Sequence, residues 1–550
     1  MRLKMTTAED PTNYRYSGVL AHPTSFPSPY GIGDFGKGAY DFIDFLAESG
    51  QHLWQILPMV PITSFGNSPY QGYSVFAGEP LLISPELLLK AGLLDQDDLQ
   101  NIPNFDPGRV DYDRVREYKY PLYKKAFECF EKSEDSDLQK NYDEFCQKNE
   151  DWLADYCLYM ALKEEQDNLP WTKWPEALRN LDKQNRAFWE EKLKMGIHYQ
   201  AFLQFMFDTQ WYALKKYAND KGIAIVGDIP IFVSPDGADV WANRKLFQVD
   251  TKGYPSAVAG VPPDYFSATG QKWGNPLYDW DAMAQNGYAW WVRRIRHMCS
   301  IYDVVRIDHF RGFAGYYAIP YGNKTAEGGR WRTGPGYALF AAIKKKLGEP
   351  RIIAEDLGFL TEDVNALLRK CGYPGMKVLE FGFDSRDGGD YRPHGYPVNS
   401  IAYVGTHDNE PVNGWMVTAA PEDVARAVRY LNLTKQEGYH WGMMRGIWAS
   451  AAELSIVQAQ DLLGLGHEAR MNTPGNPAGN WQWRVAAKDL TPALARKIHE
   501  MSARYFRAEP LPEAEPKKEK APAPQPKAKA ADAKEEKTTA PAKKAAKSAK

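Results

Sequence analysis

The sequence predicts an α/β protein, a (β/α)₈ TIM barrel with large, mainly helical insertions and a disordered C-terminal tail. Three observations carry that reading. Residues 302–309, 351–356 and 401–409 each run from an apolar stretch into a carboxylate, at Asp308, Glu355 and Asp408, about fifty residues apart. The apolar runs are rich in Val and Ile and lack polar alternation, as expected of parallel strands covered on both faces. The chain also opens as strand, loop, helix, strand, the repeating unit of a parallel barrel.

Taken in order, residues 1–16 form a polar N-terminal extension without the apolar core of a signal peptide. A strand then begins at Ser17 and runs into a Pro/Gly-rich loop. A helix follows near 38–49 with Phe42, Ile43 and Leu46 on one face. Residues 53–58 read as a strand ended by Pro58. Between about 81 and 217 the pattern turns charged, helical and rich in Tyr and Trp, too long for a loop, so it reads as the main insert. Strand signals resume at 222–230 and continue with 302–309, 351–356, 376–381 and 401–409. The barrel with its inserts is assigned 17–507. From about Leu511 the chain is Ala, Pro, Lys and Glu without an aromatic, and it cannot bury enough apolar surface to offset its ordering entropy. Residues 508–550 are therefore expected to be disordered. This mildly basic tail suits a solvated extension; recruitment to nucleic acid or a membrane is the remoter reading.

Composition excludes several classes. A formal charge of −3 over 550 residues gives no global attraction to nucleic acid or an anionic membrane, and no stretch has the length of a transmembrane helix. Five scattered cysteines without Cys-x-x-Cys spacing point to reduced thiols and a cytoplasmic location. None of the ten histidines stands in a His-Glu-x-x-His arrangement, so no metal and no cofactor is expected. Residues 31–36 resemble Gly-x-Gly-x-x-Gly, but Asp34 and Phe35 interrupt the motif within a Pro-rich loop, and a phosphate cradle is discounted. Aromatic residues make up 13% of the chain, with 17 Trp. Most must pack the core, while those beside Gly, Asn, Asp or Pro in loops suit stacking on sugar faces.

Arg306 and Asp308 are two apart on a strand and face the same way. A guanidinium beside the carboxylate favours its charged form, as a glycosidic nucleophile requires. Spacing alone leaves a buried structural ion pair open. Glu355 ends an apolar strand, where burial would raise its pKa toward that of a general acid. Asp356 competes, but its shorter arm suits capping the next helix equally well. His407 and Asp408 could hold sugar hydroxyls, or form a local hydrogen-bonded pair.

Eight segments in series then resemble one family. They are 67–71 (Asn-Ser-Pro-Tyr-Gln), 227–233 (Gly-Asp-Ile-Pro-Ile-Phe-Val), 260–267 (Gly-Val-Pro-Pro-Asp-Tyr-Phe-Ser) and 270–276 (Gly-Gln-Lys-Trp-Gly-Asn-Pro). The others are 306–312 (Arg-Ile-Asp-His-Phe-Arg-Gly), 354–358 (Ala-Glu-Asp-Leu-Gly), 405–409 (Gly-Thr-His-Asp-Asn) and 470–475 (Arg-Met-Asn-Thr-Pro-Gly). Together they resemble the 4-α-glucanotransferases called amylomaltases or disproportionating enzymes, of the α-amylase clan. The likeness spans about 17–507 and omits the tail.

The resemblance implies a retaining double displacement that moves part of an α-1,4-glucan to the 4-hydroxyl of an acceptor. It implies Asp308 as nucleophile, Glu355 as acid/base and Asp408 as transition-state stabiliser. Arg306, His407 and Asp228 would form the supporting shell, with Tyr70 and Asn472 as further substrate-binding residues. The segment 260–276 is similar to the family's flexible loop over the acceptor side. Tyr265, Phe266 and Trp273 would stack there, and Asp264 and Gln271 would hydrogen-bond. The expected partners are α-1,4-glucans and maltooligosaccharides. The alternatives are an α-glucan hydrolase on the same barrel and a catalytically silent glucan-binding protein.

Overall fold

A computed structural model of the protein describes residues 15–63, 66–264, 267–358, 360–386, 391–476 and 478–511. The strands are β1 (Tyr16–Leu20), β2 (Leu53–Gln55), β3 (Ala224–Ile229), β4 (Ala257–Val261), β5 (Gln271–Pro276) and β6 (Val304–Ile307). They continue with β7 (Gly315–Pro320), β8 (Arg330–Thr333), β9 (Ile352–Ala354), β10 (Gly375–Val378), β11 (Ser400–Tyr403) and β12 (Leu454–Gln458). Eight of them close into a parallel barrel in the order β1-β12-β11-β10-β9-β6-β3-β2. Each run read as a barrel strand from sequence supplies one of these.

The eighth, β12, escapes a reading by apolar runs. Its Ser455 and Gln458 are polar yet buried. Gln458 stands level with Leu20 of β1, which is level with Gln55 of β2. Gln55 Oε1 accepts a 2.7 Å hydrogen bond from the Tyr403 hydroxyl. This layer of the interior is therefore polar, and its residues break the hydrophobic signature. Asp228 and Arg306 are register partners on β3 and β6, and they pair directly. A strand that carries a buried charge must give it a partner, and here the neighbouring strand does so. Gly227 points the other way, where a Cβ would meet the Tyr302 ring at 2.1 Å.

The remaining strands form a four-stranded antiparallel sheet, β5-β4-β7-β8. The sequence reading treats 260–276 as a loop; the structure makes it two paired strands, β4 and β5, around a short tip. Gly260 sits at the closest approach, since a Cβ there would meet the Gln271 carbonyl at 2.1 Å. Alternation is hidden in this pair by Gly and Pro, and its hydrogen bonds come from neighbouring strands.

Helices fill 112–220, beginning with Tyr112–Glu131 and ending with the 27-residue Lys194–Asp220. The long helix is tied to the barrel side by polar side chains: Gln204 and Gln210 bond the Gly78 and Ser84 backbones, and Trp211 donates to the Ile301 carbonyl. Lys119 is fully buried and bonds Asp34 at 3.1 Å together with the carbonyls of Leu81 and Ile83. The Asp inside the Gly-rich segment 31–36 is thus a structural counter-ion.

The described residues up to Pro510 form one compact unit. The expected tail lies, beyond Leu511, outside the described residues, as does the N-terminal extension before Arg15. Packing reaches Glu509, whose carbonyl is 2.8 Å from His499 Nε2. Next to it, the buried Arg507 guanidinium donates to the carbonyls of Trp448 (2.9 Å), Tyr16 (3.0 Å) and Ala452 (2.8 Å). It joins the C-terminal end to β1 and to the approach of β12. Arg507→Met strands these acceptors and is expected to cost on the order of 3 kcal/mol. Ending the chain after Leu511 removes none of these bonds. The check is the thermal midpoint: a clear fall for Arg507→Met and none for the shortened chain, whereas equal midpoints would refute the lock.

Candidate active site

The site is built where the strands end. Main-chain bonds continue the barrel ladder past the strands: Asp308 N donates to Ile229 O at 2.9 Å, and Glu355 N donates to Ile307 O at 3.0 Å. Asp228, Asp308 and Glu355 therefore stand on three adjacent strands, β3, β6 and β9. Asp408 lies five residues past Tyr403, on the loop after β11. All four carboxylates sit at the C-terminal end of the barrel, where barrel active sites are assembled.

Arg306 is the hub. Its Nη1 meets Asp228 Oδ2 at 2.5 Å and Asp308 Oδ1 at 3.2 Å. Asp228 is fully buried and also accepts the Tyr70 hydroxyl at 2.8 Å. Because the one hydroxyl proton of Tyr70 goes to Asp228, the Tyr70 oxygen is left to accept in turn from His407 Nε2, also 2.8 Å away. The same Nε2 is 3.4 Å from Asp408 Oδ1. Burial lowers the His407 pKa and so favours the neutral ring, and the Tyr70 geometry makes Nε2 the donor between Tyr70 and Asp408. Tyr70 stacks on His407 with centroids 5.3 Å apart, and Asn472 Nδ2 donates to Asp408 Oδ1 at 2.6 Å.

Electrostatics correct one expectation. Arg306 does act to lower the Asp308 pKa, but burial outweighs it and Glu355, Asp228 and Asp408 add to the rise, so the carboxyl ends well above the usual range. Arg306 already pairs with Asp228, so one cation serves four carboxyl groups. Glu355 is raised by burial as expected, against Arg306 and the N–H groups of Leu357 and His309, which its two oxygens accept at 2.8 and 2.7 Å. Two carboxyls in one cleft resist double ionisation, so the pair keeps a proton above the normal carboxylate range. Asp356 is excluded from both parts suggested for it. It is 2% exposed, and its Oδ1 accepts the Met376 N–H at 2.6 Å, pinning β10; the next helix starts only after Thr361.

On the other flank, Trp273 of β5 meets His309 edge to face at 4.8 Å and donates to Gln271 Oε1 at 3.1 Å. Asp264 is exposed and accepts the Ser267 N–H at 2.8 Å in the tip of the hairpin. Tyr265 and Phe266 lie outside the described residues. Among the described residues, no three His, Cys, Asp or Glu side chains are grouped to hold a metal ion.

Several site residues were not singled out from sequence. His309 is left-handed, with φ of +50°, uncommon for a non-glycine residue and concentrated at functional positions. Trp481 packs beside both Tyr70 and His407 at 5.8 and 6.0 Å. Arg470 donates to the Asp408 main-chain carbonyl at 2.7 Å. His309 and Arg470 lie within recognised motifs, which was the available signal; Trp481 gave none.

The family profile described as 4-alpha-glucanotransferase (Glyco_hydro_77) matches residues 21–490. A 4-alpha-glucanotransferase of Synechocystis is 46% identical over 496 residues, spanning 90% of this chain and 98% of that protein. One from Thermus thermophilus is 43% identical over 495 residues, spanning 89% and 98%. The solved amylomaltase from Streptococcus agalactiae, in complex with acarbose, superimposes with a TM-score of 0.87 at 43% identity, covering 90% of this chain and all of that one. With these matches, the closed barrel and the carboxylates at its C-terminal rim belong to a glycosyl-transferring enzyme. The chain belongs to the 4-alpha-glucanotransferase family and has that activity.

Proposed function

We propose that the enzyme cleaves an α-1,4-glucan by double displacement through a glucosyl ester on Asp308, then hands the glucosyl segment to the 4-hydroxyl of an acceptor glucan or glucose. The observation that carries the reading is the placement of Asp308 and Glu355 on adjacent strands, sharing the field of Arg306. Asp308 attacks the anomeric carbon while Glu355 gives its proton to the departing glycosidic oxygen. The reducing-end piece leaves. Glu355, now ionised, takes the proton of the acceptor hydroxyl as that oxygen attacks the same carbon, and Asp308 is released. The raised, proton-holding pair supplies one acid and one nucleophile from two carboxyls. Arg306, 3.2 Å from Asp308 Oδ1, works toward the ionised form of that carboxyl without overcoming the rise that burial gives it.

Asp408, Asn472, His407 and Tyr70 bind hydroxyls of the reacting ring, with Asp228 and Arg306 behind them. Trp273, Gln271 and Asp264, with Tyr265 and Phe266, take the acceptor chain. An acceptor held across this flank competes with water for the ester, which favours transfer over hydrolysis. The substrates are α-1,4-glucans and maltooligosaccharides, with no role for nucleic acid. Five free thiols support a reducing compartment such as the cytoplasm, and no described helix is long and apolar enough to cross a membrane.

Purified enzyme given maltotriose is expected to release glucose and build chains longer than the substrate. A steady rise in reducing ends without longer chains would assign it to the hydrolases, and no turnover would leave a binding protein.

A further inference from the structure

Arg470 touches neither Asp308 nor Glu355, yet it governs the loop that carries Asp408. Its guanidinium makes three bonds at once: Nη1 to Glu410 Oε1 at 2.7 Å, Nη2 to the Asp408 carbonyl at 2.7 Å and Nε to the Asn472 carbonyl at 2.8 Å. Asn472 closes the circuit, since its side chain holds Asp408 Oδ1 at 2.6 Å and its N–H donates to the His407 carbonyl at 3.1 Å. One cation thus fastens the loop after β11 to the segment after β12. Asp408 needs such support. Its side chain is 42% exposed and is aimed by Asn472 and by the path of its own backbone.

Glu410 anchors Arg470 from the protein side. Its side chain is only 10% exposed, and its second oxygen is buried without a hydrogen-bond partner. His467 Nδ1 lies 2.9 Å from the bonded oxygen, on the solvent side. Behind Glu410 lie two more buried carboxyls, Glu380 and Asp461. Burial pushes both up, Asp461 to about 7, while Asp461 and Glu410 raise Glu380 further and Arg470 opposes that rise. Glu410 is the carboxyl of this nest that Arg470 grips directly. A planar guanidinium reaches three acceptors in different directions, which a lysine ammonium on a flexible stem does not reproduce.

We propose that the Glu410–Arg470 pair is a positioning device that holds Asp408 and Asn472 in the orientation the transition state requires. The proposal rests on Asp408 acting as the third carboxylate of the reaction. Arg470 then works only through the group it positions, so its effect must vanish when that group is disabled. A purely structural pair has no such dependence.

The test is a double-mutant cycle of Arg470→Lys and Asp408→Asn, with thermal midpoints measured alongside. Rates are read with maltotriose, and with α-maltosyl fluoride plus glucose where turnover is slow. A displacement of about 1 Å costs up to about 100-fold, so Arg470→Lys is expected to lower kcat/KM by about 30-fold, mostly in kcat. In the Asp408→Asn background the same change should cost less than about 3-fold. Glu410→Gln should repeat the pattern at about 5-fold. The same factor in both backgrounds, or Arg470→Lys within twofold of the wild type, overturns the proposal. So does failure of both Arg470→Lys and Glu410→Gln to fold, which would assign the pair to the scaffold. If Asp408→Asn alone keeps a near-native rate, the reading of Asp408 falls first and takes the positioning role with it.

Discussion

Asp308→Asn is expected to lower transfer from maltotriose by about 10⁴-fold or more, because the amide cannot form the ester on which both half-reactions depend. The same change should leave the fold intact. The Asp308 carboxyl is raised by burial despite Arg306, so ionising it opposes folding. The sign follows from linkage. A folded-state pKa above the unfolded one means that the folded chain holds the extra proton, and stability falls as pH rises from the ordinary Asp range toward the raised value. The neutral amide escapes that loss. The variant is therefore expected to show a thermal midpoint at neutral pH equal to or above that of the wild type. Glucose release followed by anion chromatography and a melting curve decide the matter together. A midpoint far below wild type with partial activity would make the Arg306–Asp308 contact a structural ion pair and not the seat of the nucleophile.

Glu355→Gln carries the second largest effect and separates the two carboxyls by chemistry. Loss of the acid/base should slow maltotriose turnover by about 10²- to 10⁴-fold. A donor whose leaving group departs without a proton, such as α-maltosyl fluoride, bypasses the first demand on Glu355 but not the second. The variant is then expected to give a burst of fluoride equal to the enzyme present, and to accumulate a maltosyl adduct on Asp308 visible by intact mass. Attack by the acceptor hydroxyl stays slow, since no base takes its proton. Equal losses with maltotriose and the fluoride would remove Glu355 from the acid role. Asp356 does not replace it, because that side chain is committed to the Met376 N–H.

The three candidate catalytic carboxyls differ in how far the chain alone reveals them. Asp308 and Glu355 were legible because each directly follows a short apolar strand, and a strand that ends in a carboxylate delivers it to the rim. Asp408 was less so, standing five residues beyond β11, where its direction depends on the loop. The eighth strand was not legible, since two of its five residues are buried polar ones that erase the apolar run: Gln458 faces the polar layer of the barrel interior, and Ser455 faces the other way. Nor was the β4–β5 pairing, which is held by non-local ladder bonds that Gly and Pro disguise. The protonation of the site was misread in part for the same reason. Arg306 stands beside Asp308 as the two-residue spacing implied, but its closer partner is Asp228, a residue on another strand 78 positions away.

By itself the sequence determined the class of barrel, the family and the identity of the residues at the strand ends. These depend on local hydrophobic runs, on what terminates them and on motifs carried within a few residues. Only the tertiary structure decided the electrostatics of the pair, the chain of contacts from Asp228 through Tyr70 to His407, and the hold of Glu410 and Arg470 on Asp408. Those depend on which strands become neighbours when the barrel closes. A side chain's field is set by charges brought within a few ångströms of it across hundreds of residues of chain, and no local pattern records that distance.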